Sequence, residues 1–69
     1  MELRNNGLVR ESDYKGLTLQ EAIRYAENGG FITRVVEENG EAKMLDMSVK
    51  SNRVNLRVLN GIVIAAFPG

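Results

Sequence analysis

The chain contains no histidine, no cysteine and no tryptophan, and only one proline, Pro68. Without thiols there is no disulfide scaffold, no thiolate zinc site and no cysteine nucleophile. Without imidazole, the usual general base for a serine nucleophile is missing as well. Ser12, Ser48 and Ser51 have no neighbouring base in the sequence, and Asp46 with Glu41 lacks the apolar surroundings that shift a carboxylate pair toward acid–base work. A preponderance of one charge is absent too, because nine Lys and Arg balance nine Asp and Glu, with the signs interspersed over 69 residues. No basic stripe offers a phosphate footprint, so no nucleic-acid partner is expected. The longest apolar run, Ile62 to Phe67, falls far short of the roughly 20 residues needed to span a bilayer, and it reads as a buried strand. No membrane partner is expected. A chain of this length forms one domain with a modest core, too little for a buried catalytic cleft and its supporting shell. The expectation is therefore a protein that is not an enzyme and uses no cofactor and no metal. Met1 to Asn6 lacks the basic start and apolar centre of a secretory leader, so a cytoplasmic location is expected for the chain as written, and secretion only if a leader has been removed.

Turning to what is present, Thr18-Leu19-Gln20-Glu21 matches a capping box, in which hydroxyl and carboxylate each take a main-chain amide of the other residue. The spacing predicts a helix from there, with Leu19, Ala22, Ile23 and Ala26 on one face and Asn28-Gly29-Gly30 as its stop. Phe31 to Val36 is rich in β-branched residues and leads into the turn signal Glu37-Glu38-Asn39-Gly40. Val54, Leu56 and Val58 alternate with Arg53, Asn55 and Arg57, the pattern of a half-buried strand. Asn60-Gly61 fits a two-residue hairpin turn into Ile62 to Phe67. Before Lys15 only Leu3, Leu8, Val9 and Tyr14 are candidates to dock, so residues 1–15 are expected to be a loosely ordered arm, with the folded α+β domain occupying 16–69.

Residues 41–52 admit two readings. In one they form a strand behind Asn39-Gly40, giving a helix plus a four-stranded antiparallel meander with Met44 or Leu45, Met47 and Val49 turned partly inward. Methionines in a small domain commonly fill core space this way. In the other they form a long exposed loop whose apolar side chains await a partner. Pairing of 41–50 with 31–37 distinguishes the meander. A parallel pairing of 31–37 with 53–59 around an unpaired 43–51 distinguishes the loop.

The order Gly16-Leu17-Thr18-Leu19-Gln20-Glu21-Ala22, Arg34-Val35-Val36, Gly40, Asp46 to Leu56 and Pro68-Gly69 resembles the potato inhibitor I family and its bacterial peptidase-inhibitor relatives, over roughly Lys15 to Gly69. The most specific part is Asn52-Arg53-Val54 with its fixed distance back to Met47. The resemblance implies one helix beside a small mixed sheet, with an extended loop held between two parallel strands and braced from below by arginines. It also implies a serine protease as partner. Carried over by position, Met47 takes the primary specificity position and Met47-Ser48 becomes the reactive bond, within a loop that includes Asp46, Ser48 and Val49. The alternative bond is Leu45-Asp46. Arg53 becomes one loop support, and the second support position holds Asn55. Three departures from the family pattern stand out: Asn55 replaces an arginine, Asp46 replaces a hydroxyl residue, and Ser48 replaces an acid. A carboxylate at 46 is expected to pair with Arg53.

The function implied is serine-protease inhibition by a substrate-like loop, with Met47 suited to a deep apolar pocket of the subtilisin, chymotrypsin or elastase kind. The alternative is a cytosolic protein-interaction module of the same fold that inhibits nothing. A sheet this small also has edges through which two copies could pair as a homodimer.

Overall fold

The computed structural model describes residues 9–69. Its elements are α1 (Glu11–Tyr14), α2 (Leu19–Asn28), β1 (Ile32–Glu38), β2 (Glu41–Ala42), β3 (Arg53–Leu59) and β4 (Ile62–Pro68). They form an α+β unit with one four-stranded mixed sheet in the order β2-β1-β3-β4.

Helix α2 begins where the capping box places it. Thr18 N donates to Glu21 Oε1 at 2.9 Å and Glu21 N donates to Thr18 Oγ1 at 3.1 Å. It stops at Gly29, with Gly30 in the left-handed region at φ 86°, where a residue without Cβ is unstrained. Ala22 and Ala26 are wholly buried. Their small side chains let the helix backbone approach the sheet closely, where it covers Val54, Leu56, Val58, Val63 and Ala66.

Both Asn-Gly pairs form two-residue hairpin turns. Asn39 and Gly40 have φ of 53° and 85°, and Asn60 and Gly61 have φ of 51° and 80°. Positive φ at both central positions matches the twist of the flanking strands, and Asn-Gly is the pair that tolerates it best. The two turns also touch each other, since Asn60 N donates to Asn39 Oδ1 at 2.7 Å.

The antiparallel meander does not form. β1 pairs in parallel with β3, from Ile32 opposite Arg53 to Glu38 opposite Val58, while β2 is a two-residue stub and no ladder includes residues 43–52. The physical reason lies in what each segment can bury against: Val35 and the Val54/Leu56/Val58 face share one core under α2, whereas Leu45, Met47 and Val49 alternate with polar residues but have no place in that core. Met44, Leu45, Met47 and Val49 accordingly stay exposed.

The boundary expected near Gly16 also shifts. Residues 1–8 of the expected arm lie outside the described residues, but 9–15 dock. Tyr14 is buried and meets Tyr25 edge-to-face with ring centroids 5.1 Å apart, and Val9 packs against the core. The segment after α1 then runs along the outer edge of β4. Gly16 N donates to Val63 O at 2.9 Å, Val63 N to Leu17 O at 2.8 Å and Leu19 N to Gly61 O at 3.0 Å. Farther along, Ala66 N donates to Glu11 Oε2 at 3.3 Å.

No helix among the described residues is long and apolar enough to cross a membrane.

Candidate functional site

β3 sits between β1 and β4, and its two faces have different covers. Val54, Leu56 and Val58 face α2; the alternate residues Arg53 and Asn55 are nevertheless buried, at 6% and 3% exposure. The loop 43–52, Arg34 and the Gly69 end together account for this. The loop leaves β2 and returns to the start of β3, where Arg53 reaches Ser48 in the loop and Gly69 at the chain end while Asn55 lies against Arg34 and Gly69, so a strand that reads as half-buried has polar side chains enclosed on its second face too.

Along its course the loop is tied at both ends and in the middle. Lys43 N donates to Val36 O at 2.9 Å, Lys50 N to Gly69 O at 3.3 Å, and Ile32 N to Asn52 O at 2.8 Å. Arg53 provides the central tie: its Nη2 donates to Ser48 O at 2.9 Å and to Gly69 O at 2.8 Å, and its Nε donates to Gly69 O at 3.2 Å. A buried guanidinium without acceptors would be costly, so these bonds fix the main chain as firmly as they satisfy the cation. Gly69 sits close beneath this group, at φ 141°, and a Cβ there would lie 2.8 Å from Asn55 Nδ2, so a larger residue would have to push the Asn55 amide aside.

Arg34 from β1 lies beside Arg53 on this face. It occupies the same rung as Asn55, and its Nε donates to Asn55 Oδ1 at 2.9 Å. Its Nη1 is 3.5 Å from Asp46 Oδ1. That same carboxylate oxygen accepts from Ser48 Oγ at 2.7 Å and from Ser48 N at 3.1 Å. The Asp46 carboxyl therefore titrates below its ordinary value, chiefly through the Ser48 hydroxyl and amide and further through the positive charge of Arg34 and Arg53. The expected Asp46–Arg53 pair is replaced by Asp46–Arg34, because Arg53 spends its donors on main-chain oxygens.

Met47 stands between Asp46 and Ser48 with 94% of its surface exposed, and Val49 is 81% exposed. Leu45 is less exposed, at 43%, and Met44 is fully open to solvent. The structure thus joins Asp46, Ser48 and Arg53 by hydrogen bonds with Met47 projecting from the group, and Asn55 is linked to it through Arg34, which the sequence reading left out. A lone cation in the middle of the β-branched run Phe31 to Val36 was its signal, since such a residue needs a partner once the strand is packed. On the same face Arg57 is paired with Glu37, Nε to Oε1 at 2.7 Å, and takes no part in the loop.

Among the described residues no group of acidic side chains is placed to hold a metal ion. No protein-family model matches the chain, and comparison with curated proteins and with solved structures finds no significant match.

Proposed function

We propose that this chain is a serine-protease inhibitor of the potato inhibitor I type, which presents Met47-Ser48 as a substrate-like bond to a subtilisin- or chymotrypsin-like protease. The observation that carries this reading is the contrast at adjacent residues: an apolar side chain 94% exposed at Met47, and a main-chain oxygen at Ser48 held by a buried arginine. Soluble proteins seldom expend ordering energy on an apolar side chain that touches nothing, unless a partner takes it up. The parallel β1–β3 pair and the unladdered loop between β2 and β3 support the same fold type.

Binding would proceed by strand-like pairing of the loop along the protease cleft, with Met47 in the apolar primary pocket. Because the loop is held before binding, little conformational freedom is lost on association, and that raises affinity without adding a contact. Met47 is favoured over Leu45 as the side chain presented, since it is the more exposed of the two and is flanked by the hydrogen-bonded pair Asp46 and Ser48.

The test is incubation with subtilisin, chymotrypsin and elastase. Inhibition at micromolar or lower concentration of at least one of them, with the chain recovered intact or cleaved slowly after Met47, is the expected result. No inhibition of any of the three, or rapid cleavage, would leave the second assignment, a protein-interaction module of this fold without inhibitory activity.

A further inference from the structure

β3 supplies only one arginine beneath the loop, since Asn55 stands where a second is expected. The cation is present on the neighbouring strand. Arg34 shares the rung of Asn55, is fixed by the 2.9 Å bond from its Nε to Asn55 Oδ1, and directs Nη1 toward Asp46 Oδ1 at 3.5 Å. The same oxygen accepts from both the amide and the hydroxyl of Ser48. Asp46 and Ser48 flank Met47, so one carboxylate bridges the residue on either side of it. Arg34 keeps 20% of its side-chain surface exposed and Asp46 keeps 74%, which places the cation under the loop and the carboxylate at its rim.

We infer that Arg34 is a positioning residue that holds the Met47-Ser48 bond through Asp46, and that Asn55 serves to aim Arg34. The effect on cleavage rests on the inhibitor reading; the clasp itself rests on the geometry. When a serine protease attacks, its serine oxygen forms an ester with the Met47 acyl carbon and the Met47–Ser48 C–N bond breaks. The Ser48 nitrogen takes a proton from the protease histidine and becomes an amine. In this loop that amine stays against the Asp46 carboxylate while its own residue's oxygen stays on Arg53. Held there, it is placed to re-form the amide and return the proton before water hydrolyses the ester.

The experiment uses Arg34→Gln, Asp46→Ala and the double variant in the full chain. Cleavage between Met47 and Ser48 by subtilisin is followed by mass spectrometry, and hydrogen exchange of the Ser48 amide is followed without protease. Asp46→Ala is expected to speed cleavage by about tenfold, the scale of the Ser48 bonds its carboxylate accepts, and Arg34→Gln by about two- to fivefold, the scale of a partly exposed ion pair. The double variant is expected to be cleaved no faster than Asp46→Ala, because both residues act through one carboxylate. Ser48 amide exchange is expected to accelerate in Arg34→Gln. Cleavage and exchange of Arg34→Gln at the wild-type rates, or multiplying effects in the double variant, would overturn the role of Arg34. Failure of the wild-type chain to inhibit any protease would overturn the inhibitor reading instead, and the exchange measurement would still decide whether Arg34 holds the loop. Asp46→Ala guards against a folding defect, since its exposed side chain contributes nothing to the core.

Discussion

Arg34 and Asn55 face each other across one rung of the parallel β1–β3 ladder, and the hydrogen bond between them joins the strand before the loop to the strand after it. Asn55 is 3% exposed, so its carbonyl has no water to fall back on if the arginine is removed, and the arginine loses its aim if Asn55 is removed. Asn55→Ala is expected to lower the unfolding free energy by about 1–2 kcal/mol, the usual cost of leaving a partly buried polar partner unmatched. A urea titration with an unchanged slope and a lower midpoint would show it; an unchanged midpoint would mean that the bond is replaced by water.

Arg53 ties two separate stretches of main chain, at Ser48 and at Gly69, from a buried position. Arg53→Ala is expected to cost about 2–3 kcal/mol through lost charge-assisted bonds and lost packing of the aliphatic stem. Arg53→Lys should recover only part of this, because an ammonium cannot reproduce the planar fork that reaches both oxygens. Thermal or urea unfolding of the two variants distinguishes the cases, and equal stability of Ala and Lys would argue that the stem alone matters.

Met47 contributes no buried surface to the free protein. Met47→Gly is expected to shift stability by no more than about 1 kcal/mol, mainly through added freedom of the unfolded chain. Under the proposed function the same change should abolish protease binding, since the side chain that fills the primary pocket is gone. Measuring both quantities on one preparation separates a recognition residue from a structural one.

The pH dependence of the loop follows from Asp46. Its carboxyl is held below its ordinary value, most strongly by the Ser48 hydroxyl and then by the Ser48 amide, with Arg34 and Arg53 adding to the effect. A group with a depressed folded pKa contributes its stabilisation above the unfolded value and loses it as pH falls through the folded value. The loop is therefore expected to be fully held at neutral pH and to loosen only below the ordinary carboxylate range. In a carboxyl NMR titration, Ser48→Ala should move the Asp46 midpoint up, and by more than Arg34→Gln does. The reverse order would place the charge ahead of the hydrogen bonds.

Ala22 and Ala26 mark where α2 lies closest to the sheet, with no exposed surface at either residue. Ala26→Leu is expected to destabilise by about 1–3 kcal/mol, because the added methylenes can be admitted only by moving the helix outward. Leu56→Ala at the centre of the opposing strand should cost about 2–5 kcal/mol by leaving a void. If Ala26→Leu were neutral, the helix would have room that its buried alanines imply it lacks.

Much of the scaffold was legible because its signals are local. The capping box at Thr18, the two Asn-Gly turns and the alternation in β3 each depend on residues within a few positions of one another, and each forms as its chemistry requires. The loop was legible only as one of two readings, because Leu45, Met47 and Val49 alternate as a strand's residues would, and it is the parallel pairing of β1 with β3 that leaves them unladdered. What escaped was long-range. The rung shared by Arg34 and Asn55 is set by the parallel register of strands separated by a hairpin turn and a loop, and no pattern within either strand encodes it. The docking of 9–15 escaped for the same reason, since Tyr14 finds its place against Tyr25 and the end of the sheet only after the chain has turned back through Gly16.

The bonds that run from Gly16 to Leu19 along β4, and the carboxylate of Glu11 on Ala66, have a further effect on how the molecule behaves in a crowded solution. They occupy main-chain groups at Gly61, Val63 and Ala66 that would otherwise invite another chain to extend the sheet. The opposite margin is different: the two residues of β2 pair only with Glu37 and Glu38, so the outer side of β1 from Ile32 to Val35 has no ladder partner. Sheet-edge pairing between two copies would have to displace the bonds on β4, whereas the outer side of β1 ahead of the β2 stub is where a second strand would meet no ladder already in place.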